Sequence, residues 1–570
     1  MTPVVPASPL TTRWGVRLTT VLVGLSVVMS SAVARANAGS PLAANPQHRA
    51  VHGLLSDAKW GDPEADKAGK GPKGANTASL DPGSLYTIET AIGARQVWTQ
   101  KDASDRQITG QGVTVALLDS GTAAVPGLDG AGKVTYGPDL SIEGNGVLRN
   151  QDTFGHGTHL AGIIAAHDPA ALTAKSIPAL DPSVQLGVAP AAGLLSLKLA
   201  TTDGSADVSQ VIAALNWVTE HQTARDSSRV RVVNLSFGTD SVQPYQRDPL
   251  AAAAENAWRH GLVVVVSGGN EGSAAGGLTD PAIDPYVLAV GASSGSDTVA
   301  GWAKPTVADF SSQGTPSRHV DLLAPGTSIA SLRNPGSFVD VNHPEGLVSG
   351  DTTGRLFRGS GTSQAAAVVS GVAALVLQAY PNLTPDQVKS LLMATATPLA
   401  GSSVLTAGAG QINASAALAV AKVSLNGSTW KGVGGKPVTI TAQSFPISTG
   451  QGSLDAARGG NVVLDPAGDP LTGEVDVQGN AWDAAKWWAA ASAGRSWSGG
   501  TWMGATWTGD SWVASDGGLL SARWAGAQWN SVRWASARWS GAGWTSARWA
   551  SARWASARWA SARWADHTWG

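Results

Sequence analysis

Five short apolar runs lie between residues 113 and 290, and in each of them most successive positions are nonpolar. Such runs predict strands that are buried on both faces, which is typical of a parallel sheet covered by helices. Segments with helical character separate them, including 208–220 and 251–260. We therefore predict an α/β layered fold with a mostly parallel sheet flanked by helices. The runs are 113–118, 194–199, 230–235, 262–266 and 287–290.

Two polar residues stand just past the ends of predicted strands, where functional sites collect in sheets of this kind. Asp119 follows the run 113–118 and precedes Ser120 and Gly121, so it is either a turn-initiating residue or a site carboxylate. Asn270 follows another apolar run and two glycines. By itself it fits a turn, but its side-chain amide also suits the stabilisation of a developing oxyanion.

A pair of histidines occurs in the stretch QDTFGHGTHLAG. His156 lies between two glycines, a setting that we expect to leave the imidazole open to a cleft as a general base. His159 leads into an apolar helix and is predicted to be a structural histidine. A metal site formed by the two histidines is disfavoured, because the spacing and the glutamate of an HExxH motif are absent.

A serine stands at the junction of a glycine-rich turn and an apolar helix in RGSGTSQAAAVVSG. Taken alone, Ser363 is an ordinary helix cap. Its small neighbours also leave room beside the hydroxyl, as the approach of a substrate would require. A serine hydroxyl becomes an effective nucleophile only when a base takes its proton and a third group orients the base. Ser363, His156 and Asp119 together supply that set.

The four stretches DSG, GHGTHLAG, SGGNEG and GSGTSQAA resemble the motifs of the subtilisin-like serine peptidases, in that family's order. The similarity runs from about residue 85 to residue 421. The resemblance implies that Asp119 orients the base and that His156 is general base and then general acid. It implies that Ser363 forms the acyl-enzyme. Asn270 would stabilise the tetrahedral oxyanion, with the Ser363 backbone amide as a second donor.

The resemblance also implies where substrate binds. One set of residues would pair with the substrate backbone, and a second would line the main specificity pocket. The first is Ser236, Phe237 and Gly238, and the second is Ser267, Gly268 and Gly269. No cofactor is implied for catalysis and no metal ligand is assigned. The family often binds structural calcium, but Asp129, Asp139 and Asp181 have no calcium-ligand spacing, so calcium is left open.

The amino-terminal region has the pattern of an export signal. Arg13 and Arg17 precede the apolar stretch 18–29, and small residues follow at 31–38. A membrane anchor is disfavoured because a stretch of 12 apolar residues is short for spanning a bilayer. We expect a signal peptide at 1–38, a flexible leader or short pro-segment at 39–84, and a secreted, extracellular protein. The chain has no cysteine, which excludes disulfides.

The composition and the pattern of the sequence change after the predicted peptidase domain at 85–421. Residues 422–481 suggest a small β segment or linker, and 482–570 form a tryptophan-rich region with a five-residue repeat, purest as ASARW. A step of five residues turns about 140° on a helix and changes face on a strand, so neither element collects the rings on one side. A β-solenoid or other β-rich array and a region that is disordered until bound are both kept as alternatives.

Composition narrows the functional classes. A net charge of −2 with 43% hydrophobic residues implies a globular protein without a nucleic-acid partner. We predict a secreted serine endopeptidase that acts on proteins or peptides. The arginines of the repeat predict contact with a membrane surface or an anionic cell-wall polymer, and hence retention at the cell surface. The alternatives are a repeat that only spaces or self-associates, a binding module that has lost activity, and a surface-assembly factor.

Overall fold

A computed structural model describes residues 59–60, 81–143, 148–170, 172–222, 229–274, 276–295, 302–419, 429–431, 437–439, 442–460, 463 and 470–507. The predicted signal peptide, most of the predicted leader and the pentads beyond residue 507 lie outside these residues.

Strands in the described residues are mostly short. They are β1 (Lys59–Trp60), β2 (Val113–Asp119), β3 (Val134–Tyr136), β4 (Gly193–Lys198), β5 (Arg229–Leu235), β6 (Val263–Ser267), β7 (Leu288–Ser294), β8 (Thr306–Val307), β9 (Leu322–Pro325), β10 (Ile329–Leu332), β11 (Leu356–Ser360), β12 (Thr429–Lys431), β13 (Pro437–Thr439), β14 (Trp497–Ser498), β15 (Thr501–Trp502) and β16 (Ala505–Thr506).

A central sheet of eight strands organises the molecule. Its order is β3-β4-β2-β5-β6-β7-β8, and β9 also pairs with β7. All of these pairs are parallel except β7 with β8. β2 and β6 are buried along their whole length, as strands covered on both faces must be. The prediction of a mostly parallel α/β sheet is confirmed.

Twelve α-helices lie within the described residues, and several of them pack on the strands of this sheet. They are α1 (Leu85–Ala91), α2 (Ala94–Trp98), α3 (His156–Ala165), α4 (Val208–Glu220), α5 (Pro249–Arg259), α6 (Phe338–Asn342), α7 (Thr362–Ala379), α8 (Pro385–Thr395), α9 (Val404–Ala407), α10 (Ala414–Leu418), α11 (Leu454–Arg458) and α12 (Ala484–Ala491). α7 packs on β5, β6 and β7. Within the described ranges it is the one helix long and apolar enough to cross a membrane, and 94% of it is buried in the core.

A second, antiparallel sheet has the order β1-β11-β10. Lys59 of β1 lies opposite Ser360, and Trp60 lies opposite Gly359. A piece of the predicted leader therefore pairs with the strand that runs directly into Ser363. Residues 333–355, hereafter the 333–355 segment, connect β10 to β11 and contain α6.

The described residues between 442 and 507, hereafter the C-terminal segment, pack against helices of the predicted peptidase domain. The indole N–H groups of Trp487 and Trp502 both donate to Asn216 Oδ1 of α4, at 2.9 and 3.2 Å. The indole of Trp497 donates to the Ala213 carbonyl of the same helix at 2.9 Å. These rings are almost fully buried, so the start of the tryptophan-rich region contributes to the hydrophobic core.

The three pentads within the described residues form an antiparallel meander of short strands. Trp497 lies directly opposite Trp502, and Trp502 lies opposite Ala505. Met503 and Gly504 have φ of 53° and 87°, as a tight two-residue hairpin requires. Because the chain reverses after each short strand, a five-residue repeat returns every ring to the same face.

Candidate active site

Asp119 and His156 form the best-defined pair of the site. Asp119 is the last residue of β2, and His156 is the first residue of α3. His156 Nδ1 lies 2.8 Å from Asp119 Oδ1, and both residues have no exposed surface. A carboxylate only accepts hydrogen bonds, so Nδ1 carries the proton and Nε2 is the basic nitrogen. Asp119 Oδ1 also accepts from the Ser120 backbone N–H at 2.8 Å.

Asp152 positions this pair, and the sequence analysis missed it. Its Oδ1 accepts from the Ser120 hydroxyl and from the Gly155 N–H, both at 2.7 Å. Its Oδ2 accepts from the Thr158 N–H at 2.8 Å and from the Thr158 hydroxyl at 2.5 Å. The carboxylate thus ties the turn after β2 to the first turn of α3, where negative charge is favoured. An acid four residues before the histidine was the available signal.

The glycines beside His156 serve close packing and do not open the ring to solvent. A Cβ on Gly157 would lie 2.0 Å from the Gly121 carbonyl oxygen, and a Cβ on Gly155 would lie 2.4 Å from Ser337 Oγ. Gly155 also has φ of 105°, which L side chains rarely adopt. The imidazole has no exposed surface, so the expectation of a ring open to a cleft is wrong.

Ser363 is the second residue of α7 and follows directly from β11. It is fully buried. Its carbonyl accepts a long hydrogen bond from Ser236 Oγ at 3.4 Å. Its own hydroxyl makes no hydrogen bond to any residue that the structure describes. His156 and Ser363, the predicted base and nucleophile, are therefore not hydrogen-bonded to each other here. Such contacts often tighten only when substrate binds.

Asn270 is joined to the residue before the serine. Its Oδ1 accepts from the Thr362 N–H at 2.8 Å and from the Thr362 hydroxyl at 2.9 Å. A Cβ on Gly361 would lie 3.6 Å from both Asn270 Nδ2 and the Ser363 backbone nitrogen. Two polar N–H groups therefore border the same small space beside Gly361.

The residues predicted to bind substrate follow two neighbouring strands of the sheet. Ser236, Phe237 and Gly238 come directly after β5 and are buried, with Phe237 only 1% exposed. Ser267 ends β6, and Gly268 and Gly269 follow it and are also buried. A Cβ on Gly269 would lie 2.6 Å from Ser312 Oγ, so these glycines let the chain pack closely around Asn270.

A buried ion pair lies beneath the Asp119–His156 pair. Lys198 Nζ lies 3.2 Å from Glu143 Oε2, and both side chains are almost fully buried. The ammonium also donates to the Ser120 carbonyl at 3.2 Å and to the Thr153 hydroxyl at 2.9 Å. Lys198 pairs with Asp119 across β4 and β2. A lysine inside the apolar run 194–199 was the sequence signal for this second supporting contact.

His159 is a structural histidine, as predicted. Its Nε2 lies 3.2 Å from the Ile329 carbonyl oxygen and 3.1 Å from that of Phe357. Burial, and next the charge of His156, lower the pKa of His159 to about 3, so the ring is neutral.

Clusters of three or more His, Asp or Glu side chains suited to a metal ion are absent from the described part of the chain. Asp139 and Asp181 instead accept hydrogen bonds from Ser141 and Ser183 in local turns, and Asp129 accepts from the Gly127 N–H.

The model of the Subtilase family matches residues 110–416. The chain is 34% identical over 290 residues to the serine protease AprX of Bacillus subtilis (strain 168), which covers 50% of this chain and 61% of that protein. It is 32% identical over 316 residues to Subtilisin Savinase of Lederbergia lenta, covering 55% of this chain and 94% of that protein. A solved structure of fervidolysin from Fervidobacterium pennivorans, a keratinolytic enzyme related to subtilisin, aligns with a TM-score of 0.48 and 26% identity. It covers 67% of this chain and 52% of that one.

Proposed function

We propose that this chain, which belongs to the subtilase family of serine proteases, is a serine endopeptidase that hydrolyses peptide bonds with Asp119, His156 and Ser363. The observation that carries the proposal is the 2.8 Å contact between His156 Nδ1 and Asp119 Oδ1 at the end of β2. A carboxylate in this position fixes the tautomer in which Nε2 can take a proton from a hydroxyl.

In the acylation step, Ser363 Oγ bonds to the carbonyl carbon of the scissile peptide while its proton passes to His156 Nε2. The carbonyl π electrons move to the oxygen and form an oxyanion. When the tetrahedral intermediate collapses, the C–N bond breaks, and the imidazolium gives its proton to the departing amine. Asp119 stabilises the imidazolium and remains ionised throughout.

In the deacylation step, a water molecule gives a proton to His156 Nε2 and bonds to the acyl carbon. The ester C–O bond then breaks, and the proton returns to Ser363 Oγ. This chemistry uses only side chains and water, so the proposal requires no cofactor. Structural calcium remains without an assigned site.

The developing oxyanion would be stabilised by Asn270 Nδ2 and the Ser363 backbone N–H. In support, a Cβ placed on Gly361 would lie 3.6 Å from each of these two nitrogens, so both border the same space. Donors that are fixed before the reaction stabilise developing charge without reorganising. We assign Ser236, Phe237 and Gly238 to pairing with the substrate backbone, and Ser267, Gly268 and Gly269 to the wall of the specificity pocket.

Ser363 and His156 have no exposed surface, so substrate can reach them only after a covering part of the chain moves. The leader strand β1 pairs with β11 beside the serine. We assign residues 39–84 to a pro-segment whose departure opens this edge. Residues 1–38 are assigned to an export signal, which makes the mature enzyme an extracellular one acting on protein or peptide substrates.

A fluorophosphonate probe tests the chemistry, because it bonds to an activated serine. We expect labelling of the mature protein and no labelling of Ser363→Ala. His156→Ala should lower both the labelling rate and peptide cleavage by about a thousandfold or more. A His221→Ala variant, altered at an exposed histidine outside the site, serves as the control. Unchanged peptide cleavage by His156→Ala would overturn the assignment of the base.

A second role, retention at a cell-wall polymer or membrane surface, is proposed for the arginine-rich pentads beyond residue 507. The comparison is between the full chain and a chain that ends at Trp507. A chain that ends before Trp507 would also lose residues of the C-terminal segment that pack against α4, so Trp507 is the chosen end point. We expect the full chain to stay with the cell fraction and the shortened one to appear in the medium. Equal release of both would refute retention.

A further inference from the structure

The 333–355 segment holds the loop 152–155, which carries His156, from its outer side. The N–H groups of Phe338 and Val339 donate to the carbonyls of Thr153 and Phe154 at 2.9 and 3.0 Å. The side-chain amide of Asn334 donates to the Asp152 carbonyl at 2.5 Å. Three consecutive carbonyls of the loop therefore accept hydrogen bonds from one segment.

Phe154 connects this contact to the imidazole. Its ring stacks on Phe338 with centroids 6.0 Å apart and an interplanar angle of 27°. The His156 ring also lies near it, with centroids 6.3 Å apart. A Cβ on Gly204 would lie 2.8 Å from the Phe154 ring, so the loop after β4 also packs against it. Phe154 is only 3% exposed, and it has little freedom while Phe338 is in place.

The 333–355 segment is itself internally fixed. Arg333 and Asp340 form a bidentate ion pair, with Nε–Oδ1 and Nη2–Oδ2 distances of 2.5 and 3.0 Å. Asp340 Oδ2 also accepts from the Gly336 N–H at 2.8 Å. Bidentate pairs of this kind fix geometry as well as adding attraction. The segment can therefore transmit a fixed position to the loop.

We propose that the 333–355 segment positions the general base, with Phe338 and Asn334 acting through the loop 152–155 on His156. Both are positioning residues: they hold the main chain that carries the imidazole and do not touch the reacting atoms. The inner side of that loop is already fixed by Asp152 and Thr153. Without the outer contacts, the imidazole would still bond to Asp119, but the main chain that carries it would lose its fixed position relative to Ser363. Small misplacements of a reacting group lower turnover strongly.

This inference rests on the proposed function, and its test separates the two. Phe338→Ala removes the ring and leaves the backbone bonds. Phe338→Tyr keeps the stack, and Val341→Ala truncates an exposed side chain on the same helix, α6. For each variant, active sites are counted by fluorophosphonate labelling. Then kcat and KM are measured on a chromogenic peptide amide, well below the unfolding temperature.

We expect Phe338→Ala to lose about tenfold in kcat per labelled site with KM within about twofold of the starting protein. Phe338→Tyr should restore kcat, and Val341→Ala should leave it unchanged. If Phe338→Ala does not fold, Asn334→Ala replaces it and should lower kcat by a smaller factor in the same direction.

The proposal would be overturned if Phe338→Ala had an unchanged kcat per labelled site and only a lower unfolding temperature. The segment would then contribute to stability and not to the position of His156. A change confined to KM would also overturn it, because the segment would then contact substrate. Failure of the unmodified protein to label would instead refute the proposed function itself.

Discussion

Asn270 Oδ1 accepts hydrogen bonds from both the backbone N–H and the hydroxyl of Thr362, at 2.8 and 2.9 Å. The two donors belong to the residue that precedes the proposed nucleophile. They fix the amide so that its oxygen is used by protein groups and its Nδ2 faces the space beside Gly361. A flexible asparagine is thereby held ready before any substrate arrives.

We expect Asn270→Ala to lower kcat by about 10²–10³ with little change in KM, a magnitude known for removal of one oxyanion donor from a subtilisin. Thr362→Val removes one of the two donors that hold Asn270. We expect it to lower kcat by about fivefold, which corresponds to the loss of one ordinary hydrogen bond. Both are measured by steady-state cleavage of a peptide amide. A loss confined to KM in Asn270→Ala would contradict the role of an oxyanion donor.

Gly361→Ala should lower kcat by about tenfold or more, because the new methyl group would enter the space that both proposed donors border. The backbone at Gly361 is extended, with φ of 166°, so alanine brings no backbone strain. The close neighbour of the methyl, Gln364 Oε1 at 2.7 Å, ends a side chain that can shift.

Gly276→Ala is the matched control for this substitution, since nothing lies within 4 Å of a Cβ at that position. Equal kcat values for the two alanine variants would show that the space beside Gly361 is not where the oxyanion forms.

Removal of the buried cation Arg458 should destabilise the fold strongly. Its Nε lies 2.7 Å from Asp207 Oδ2, and neither side chain is exposed. Arg458→Met leaves the Asp207 carboxylate buried without its countercharge, at a cost of about 3 kcal/mol in the free energy of unfolding. Urea unfolding in a Ser363→Ala background, which avoids self-digestion, measures the loss. The double variant with Asp207→Asn should recover part of it, and a loss below about 1 kcal/mol would contradict the prediction.

Stability should fall as pH rises through the range in which Glu255 ionises. Burial, opposed by the Ser448 N–H and Arg259, raises the pKa of Glu255 from 4.5 to about 7. The unfolded carboxyl loses its proton near pH 4.5, so the folded state binds the extra proton between the two values. The contribution is favourable at low pH and is lost as pH rises through about 7.

Glu255→Gln removes this titration and keeps an oxygen for the Ser448 N–H, which donates to Glu255 at 2.7 Å. We expect the variant to be more stable than the parent at pH 8 and about equal to it at pH 4, by urea midpoints in the Ser363→Ala background. The same difference at both pH values would contradict the pKa argument.

The sequence predicted local features well where short-range chemistry decides them. α4 spans Val208–Glu220, the predicted bounds, because Asp207 forms a capping box with Gln210. Asp119 ends one strand of the predicted sheet and Asn270 follows another, and parallel strands bring their carboxyl ends to one edge. The position of the site depends on where these strands end, and the pattern of apolar runs in the sequence predicts those ends.

Long-range packing could not be predicted in the same way. The hold of Asn334 and Phe338 on the loop 152–155 joins residues more than 180 positions apart, and no local pattern encodes it. The five-residue spacing of the tryptophans likewise does not encode the hairpin turn at Met503 and Gly504 that reverses the chain between the described pentads. The burial of His156 was also missed, since the glycines beside it admit neighbouring backbone as readily as solvent.

The contacts of the C-terminal segment with α4 bear on the order of events during synthesis. Asp207 is neutralised by a residue 251 positions later, and Asn216 receives an indole N–H from one 271 positions later. A ribosome releases α4 long before either partner exists. The part of the core that these contacts close can therefore form only after synthesis has entered the last third of the chain.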